Sequence, residues 1–550
     1  MLNNQLYRVR WFFVIFFMCG SCIIGQTPKK ESNKKIRIDW FHQDLSNDSV
    51  PGISLAKAYE KILDTIKKQE VIVAIIDMAV DVNHEDLKGK IWSNANEVPN
   101  NNIDDDKNGY IDDVHGWNFL GNEKGENILF TNYEYTRIIR KYDSIFKGKV
   151  VSDISKDQKD DFLQYSRAKK KYENQLVYAK NDKAYIDYYD TGYIAASKAL
   201  ANYFPEKRYT KKKLDSIKSL YKDDKVLNVH LDYMLVYVQY KLTQKWIQDY
   251  KLKAYERLNK LLNLDYDERL TIIGDDPEDI TNIVYGNNQV NNNIDIVSHG
   301  TKIAGTIGAI RNNDLGTNGV VNNVKIMPLC VSPLGDEHDK DMALAIQYAA
   351  DNGAKVINIS SGKEFSLHQD WVLDAIKYAE EKEVLIVTSS GNEGLNIDNL
   401  SVYNYPDDMD KQGNEVASNF IKVGSSSNFL DHRLISLFSN YGKQKVDLFA
   451  PGDKVLTLIP DNNYELDKGT SISCAVVSGV AALIRSCYPD LSAAKVKEIL
   501  MKSGTSYDIK VEIEEKDKTK KLVPFSELSK SGKIVNAYNA LFMAKQISLE

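Results

Sequence analysis

Fifteen consecutive residues, Gly469-Thr470-Ser471-Ile472-Ser473-Cys474-Ala475-Val476-Val477-Ser478-Gly479-Val480-Ala481-Ala482-Leu483, carry no charge and no side chain larger than leucine. This stretch predicts a buried helix. Ser473, Ala475, Ser478, Gly479 and Ala482 are small enough to let its backbone approach its neighbours closely. Ser471 falls in the first turn, beside backbone N–H groups that have no intrahelical partner and that favour negative charge. That setting suits a nucleophile whose reaction creates an oxyanion. It equally suits an ordinary core helix with a serine near its N-cap, so the rest of the chain must decide.

The 550 residues allow several domains or one large domain with insertions, and an apolar share of 43% supplies a sizeable core. A formal charge of −6 argues against a nucleic-acid partner, which selects for a basic face. At the N-terminus Arg8 and Arg10 precede an apolar run from Trp11 to Met18, then small residues at Gly20, Ser21 and Gly25. This reads as an export leader over residues 1–25, cleaved near Gly25-Gln26 or kept as a signal anchor. Its apolar run is short for a membrane span, and no span is expected after its removal. Cys22 offers a lipid attachment point, although Cys19-Gly20-Ser21 lacks the leucine of a good lipobox. The expected location is periplasmic, cell-surface or extracellular. Cys330, Cys474 and Cys487 have spacings of neither a disulfide framework nor a zinc site and read as small core residues.

Residues 26–39 read as a linker. Val71-Ile72-Val73-Ala74-Ile75-Ile76 is a continuous apolar run that fits a strand buried on both faces of a parallel sheet. It ends in Asp77, at the edge where open α/β sheets place functional groups; a turn-starting aspartate is the plain alternative. In Asp104-Asp105-Asp106-Lys107-Asn108-Gly109-Tyr110-Ile111-Asp112, the residues Asp104, Asp106, Asn108 and Asp112 match ligand places of a calcium loop, with Gly109 at the sixth. The twelfth place is His115, not glutamate. A structural Ca²⁺ is expected there, against a solvated acidic turn. From 122 to 264 glycine nearly vanishes, and Lys, Tyr, Asp and Leu dominate. Apolar residues at Leu235, Val238, Leu242, Trp246 and Tyr250 have helical spacing. This region reads as an inserted helical subdomain. Beyond Thr271 short apolar runs alternate with helical patterns, which implies a parallel sheet with helices on both faces. The expected catalytic body is 40–121 and 265–550. The sequence carries no signal of oligomeric state.

A serine hydroxyl needs a base, and histidine suits that role near neutral pH. Of eight histidines, only His299 opens a small-residue helix, in Ser298-His299-Gly300-Thr301. A third group must orient the imidazole, and Asp77 at a strand end can do so. Asn392, in the Ser390-Gly391-Asn392-Glu393-Gly394 loop, can project an amide donor toward an oxyanion. The Ser471 backbone N–H is the second expected donor.

The order Asp77, His299, Ser471, together with Ser298–Gly305, Ser390-Gly391-Asn392 and Gly469-Thr470-Ser471, resembles the subtilisin-like serine proteases. Val356-Ile357-Asn358-Ile359-Ser360-Ser361-Gly362 resembles the family's substrate-pairing strand. The match covers roughly Trp40–Leu120 and Thr271–Leu541. The resemblance implies a subtilisin-like α/β fold and an exported endopeptidase. Ser471 attacks, His299 acts as base, Asp77 orients it, and Asn392 binds the oxyanion. Ser360, Ser361 and Gly362 bind an extended polypeptide, and the chemistry requires no cofactor. The sequence departs from the family pattern at Met78 and Ala79, at Lys302 in place of a second histidine, and at Ala475 in place of a proline. Little chain precedes the catalytic segment, so the long prodomain of secreted relatives is not expected. The chain ends soon after a terminal helix, so no appended domain is expected. The competing reading is a catalytically weak or inactive scaffold that binds partners through its helical insertion.

Overall fold

Alternate side chains of the first strand enter two different cores. Val71, Val73 and Ile75 join one apolar cluster, and Ala74 and Ile76 join another. A strand covered on both faces has no polar side, which is why its sequence is an unbroken apolar run. The computed structural model describes residues 39–515 and 517–549. The expected leader and Cys22 lie outside the described residues, as does the linker apart from Asp39.

In chain order the strands are β1 (Val71–Asp77), β2 (Trp117–Asn118), β3 (Val324–Cys330), β4 (Val356–Ile359), β5 (Leu385–Ser389), β6 (Phe420–Ser426) and β7 (Leu448–Pro451). There follow β8 (Val455–Ile459), β9 (Asn463–Asp467), β10 (Thr505–Ser506), β11 (Lys510–Glu514), β12 (Lys520–Pro524) and β13 (Lys533–Ile534). The main sheet runs β10-β13-β7-β6-β5-β4-β1-β3-β2. Every neighbouring pair in it is parallel except β10 with β13. β8 pairs with β9, and β11 with β12, as antiparallel hairpins. The expected α/β architecture, mostly parallel with helices on both faces, is the one observed.

The longer helices are α1 (Glu134–Phe146), α2 (Lys159–Ala199), α3 (Lys211–Leu220), α4 (Lys225–Gln239), α5 (Gln244–Glu256), α6 (His299–Gly308), α7 (Asp339–Asp351) and α8 (Gln369–Glu381). After them come α9 (Thr470–Cys487), α10 (Ala493–Ser503) and α11 (Ala537–Ile547). One core holds residues of α6, α9, α10 and α11, the other those of α7 and α8. Helix α9 is long and apolar enough to cross a bilayer, yet all of it is buried. Its apolarity therefore serves the core. Cys330, Cys474 and Cys487 are buried with free thiols.

The chain lays β3 on one side of β1 and β4 on the other. Such a reversal opens a crevice at the carboxyl edge of the strands, where open α/β sheets bind ligands. Asp77, Ser360 and Asn392 all follow from that edge.

Strand β6 carries no periodic signal in the sequence, because Lys422, Gly424, Ser425 and Ser426 break its apolar run. All seven of its residues are buried. The amine of Lys422 donates to the backbone oxygen and to Oδ1 of Asn404 (2.9 and 3.1 Å). Burial pulls it below the ordinary lysine range.

Residues 122–132 stay with the sheet domain. Ile128 belongs to its second core. The Leu334 N–H donates to the Leu129 carbonyl (2.7 Å), and the Thr131 N–H to that of Leu334 (3.2 Å). The helical region proper begins at Glu134. Helix α2 has 41 residues, about 60 Å at 1.5 Å per residue. Its far end packs with α3, α4 and α5 around Ile186, Leu231 and Met234. Its near end packs with α1 around Ile138, Phe162 and Tyr165, in a cluster that also takes in Phe365 of the sheet domain. The helices and the sheet form one compact unit, Asp39–Glu550.

Candidate active site

Asp77 ends β1 and is fully buried. Its Oδ1 accepts from the Met78 N–H (2.7 Å) and faces Nδ1 of His299 at 2.7 Å. The carboxylate can only accept, so Nδ1 carries the proton and the lone pair of the neutral ring lies on Nε2. The imidazole is therefore held in the form a base requires.

Helix α6 meets the end of β1 so closely that a side chain at Gly300 would run into the carbonyl oxygens of Met78 and Ala79. The Asp81 N–H donates to Oγ1 of Thr301 (2.9 Å). Both residues after His299 thus dock its helix on the Asp77 loop. Ala79 lies outside the left-handed region of backbone space, so an alanine at this family position carries no conformational penalty.

Burial lowers the affinity of the His299 imidazole for a proton. The charge of Asp77 and its hydrogen bond outweigh that, with Asp467 adding to them and Lys302 opposing, and the net shift is upward from 6.5. Lys302 stands one turn along α6. Its amine pairs with Asp467 (2.8 Å) and Glu465 (2.5 Å) on β9. The tie joins the histidine helix to the strand that leads into Gly469-Thr470-Ser471. A lysine one turn after His299 and an acid four residues before Ser471 are the sequence signs of this tie, which the sequence reading missed.

Ser471 is the second residue of α9 and is 9% exposed. Its hydroxyl donates to the Ser360 carbonyl (3.0 Å), and the Ser360 hydroxyl donates to the Ser471 carbonyl (3.0 Å). In this resting arrangement the Ser471 proton faces Ser360, and the hydroxyl must turn it away to offer it to an imidazole. Catalytic hydrogen bonds commonly tighten only once substrate is bound.

Oδ1 of Asn392 accepts from the backbone N–H (2.9 Å) and the hydroxyl (3.1 Å) of Thr470. A backbone N–H can only donate, so the amide oxygen must face it and the NH₂ group is left to point elsewhere. Thr470 Oγ1 in turn accepts from the Gly391 N–H (3.2 Å). Gly391 has φ of +100°, and a side chain there would strike the amide of Asn440. Asn440 binds the Ser390 carbonyl and the backbone N–H groups of Glu393 and Leu395. The asparagine loop is thereby fixed against the first turn of α9.

Of the three residues expected to bind substrate, Ser360 is buried and engaged with Ser471. Ser361 is half-buried and Gly362 is exposed. The chain then turns in at Lys363, which exchanges backbone hydrogen bonds with Tyr405 (3.0 and 2.9 Å). Ser361 and Gly362 are the accessible part of this edge.

In the acidic loop the expected ligand residues hydrogen-bond within the loop. Asp104 turns back to accept from the Asn108 and Gly109 N–H groups (3.1 and 2.8 Å). Asp112 accepts from those of Asn101 and Asn102 (3.1 and 2.8 Å). Asn108 donates to Asp113 (3.0 Å). His115, at the twelfth place, binds the Trp92 carbonyl (2.8 Å). The carboxylates that converge are Asp106 with Glu97 and Asp113, whose oxygens lie within 4.8 Å of one another. Sequence spacing did not point to Glu97, which lies upstream of the Asp104–Asp112 stretch. Burial, reinforced by neighbouring carboxylates, raises the proton affinity of Glu97 and Asp113.

The model of the Subtilase family matches residues 68–521. The chain is 33% identical over 215 residues to the cell wall-associated protease of Bacillus subtilis (strain 168), covering 39% of this chain and 22% of that protein. It is 35% identical over 194 residues to the thermophilic serine proteinase of Bacillus sp. (strain AK1), covering 35% of this chain and 44% of that protein. Among solved structures it is similar to a chain of the subtilase cytotoxin SubAB assembly, at 25% identity and a TM-score of 0.38, covering 46% of this chain and 79% of that one. The chain spans less than half the length of the two curated relatives. Both are proteases, which supports serine protease function at the level of the family. With the family model matched from the strand before Asp77 to beyond the helix of Ser471, this chain belongs to the subtilase family.

Proposed function

We propose that this chain is an exported serine endopeptidase. The observation that carries the proposal is the 2.7 Å contact between Asp77 and His299 Nδ1, at the same sheet edge as a serine in the first turn of a buried helix. In this reading His299 Nε2 takes the Ser471 proton as Oγ attacks the scissile carbonyl carbon. The carbonyl π electrons move to oxygen, and the oxyanion is met by the Asn392 NH₂ and the Ser471 backbone N–H. Collapse of the tetrahedral species breaks the C–N bond. His299 returns its proton to the leaving amine, and an acyl-enzyme remains. Water, deprotonated by the same imidazole, attacks the ester carbonyl; the acyl–Oγ bond breaks, Oγ takes the proton back from His299, and the acid leaves. The substrate is an extended polypeptide laid along Ser361–Gly362, where strand addition supplies main-chain hydrogen bonds. No cofactor enters these steps. Export is supported by the N-terminal leader pattern and by a relative named as cell wall-associated.

Glu97, Asp106 and Asp113 are the residues that would hold a structural Ca²⁺. They offer hard oxygen donors, and none forms an ion pair with lysine or arginine among the described residues. Such an ion would brace the loop beside β2 and takes no part in peptide hydrolysis.

Cleavage of an unfolded protein such as casein by purified wild type and by Ser471→Ala tests the proposal. Loss of all cleavage in the variant is expected. Equal cleavage by both proteins, or none by folded wild type, overturns it.

A further inference from the structure

The stretch that follows the proposed substrate edge, Lys363–Leu367, is held largely by the helical arm. Lys363 is buried, and its amine lies 3.3 Å from Glu134 of α1 and 2.8 Å from Asp339. Glu134 also accepts from the Leu367 N–H (2.9 Å). Arg167 of α2 stacks its guanidinium on Tyr403 (3.5 Å) and on Phe365 (4.7 Å), and donates to the Glu364 carbonyl (3.2 Å). Gln164 donates to the Ser366 carbonyl (2.5 Å), and Lys171 pairs with Glu364 (2.5 Å). Phe365 is 1% exposed and belongs to the same apolar cluster as Tyr135, Ile138 and Phe162 of the arm. None of these partners is Asp77, His299 or Ser471.

We propose that Glu134 and Arg167 are positioning residues for the substrate-pairing edge, so that the helical arm governs how well long polypeptides are used and leaves the chemistry at Ser471 untouched. The inference rests on the endopeptidase reading above. Its physical basis is continuity of the chain. Ser361 and Gly362 can pair with a substrate backbone only if their own backbone is held extended, and the residues that follow them are tied on several sides by α1 and α2. A strand advances ~3.3 Å per residue, so Ser361 and Gly362 lie roughly 3–7 Å along the edge from Ser360. Only a substrate that extends past the scissile residue can pair with them. A short substrate is bound by the groups around Ser471 and Asn392 alone. Binding energy from remote parts of a substrate acts on orientation at the reacting centre, and a misplacement of an ångström is costly.

The test uses the full chain as wild type, Arg167→Ala, Arg167→Lys and Gln164→Ala. Each is assayed on a quenched-fluorescence octapeptide and on a single-residue p-nitrophenyl ester, with the rate of fluorophosphonate labelling as a third reading. For Arg167→Ala, kcat/KM on the octapeptide is expected to fall on the order of tenfold to a hundredfold. Ester hydrolysis and labelling are expected to match wild type. Arg167→Lys keeps the charge without the planar stack and falls between the two. Equal loss on both substrates, or no loss on the octapeptide, overturns the inference. If Arg167→Ala does not fold, Gln164→Ala carries the same comparison with a smaller octapeptide-selective loss expected. Wild type that labels and cleaves both the ester and the octapeptide upholds the endopeptidase reading whatever the variants do. Folded wild type inert toward all three probes overturns both.

Discussion

In the proposed mechanism His299 must be neutral to accept the Ser471 proton, and Asp77 raises its affinity for a proton above the ordinary value of 6.5. Activity should therefore fall on the acid side with a midpoint above 6.5, read from kcat/KM against pH. Asp77→Asn removes the negative charge that raises the shift, so the midpoint should move down. The imidazole is then no longer held with its proton on Nδ1, and kcat should fall by about 10⁴. Asn392 separates two roles. Its oxygen caps Thr470, and its NH₂ is left to meet an oxyanion. Asn392→Asp keeps the cap oxygen and deletes the donor, so kcat should drop by at least about 10² with little change in melting temperature. A large stability loss with normal kcat would assign the asparagine to helix capping alone. At this scale the sequence was highly legible. Gly300 and Gly391 are glycine because backbone or amide atoms occupy the space a side chain would take, and such constraints leave local signatures.

Two elements depend on partners far away in sequence. Lys302 of α6 and the acids Glu465 and Asp467 of β9 join the histidine helix to the serine segment across more than 160 residues. Asp467 raises the proton affinity of His299 and Lys302 opposes it. Asp467→Asn should move the acid limb of the pH profile down and Lys302→Met should move it up, and unchanged profiles in both would sever the tie from catalysis. The acidic loop is the second such element. If Glu97, Asp106 and Asp113 hold Ca²⁺, free ion at a hundred times its Kd should stabilise the fold by about 2.7 kcal/mol. Thermal melts with and without a chelator measure this, and Glu97→Gln should abolish the difference. The sequence announced the acidic loop but not Glu97, and gave no pairing of Lys302 with Glu465 and Asp467. Periodicity reports which face of an element is buried, not which distant residue meets it. Strand β6 escaped for a related reason, since tertiary contacts to Asn404 accommodate a buried lysine that local pattern reads as solvent-exposed.

Over the whole molecule, the alternation of apolar runs and helical patterns was enough to read a parallel α/β sheet. The composition change after residue 121 was enough to read a helical region. How the two join was not legible, because Arg167 meets Glu364 across 197 positions and nothing in either segment announces the other. The chain nonetheless brings residues from three distant segments to one sheet edge, through β1, α6 and α9. In the proposed mechanism they work as one proton-transfer unit. Intact-mass measurement of fluorophosphonate labelling tests it most directly, on folded wild type, Ser471→Ala and His299→Ala. One adduct per chain on Ser471 is expected in wild type and none in either variant over the same time. Labelling of His299→Ala at the wild-type rate, or adducts that persist in Ser471→Ala, would contradict it.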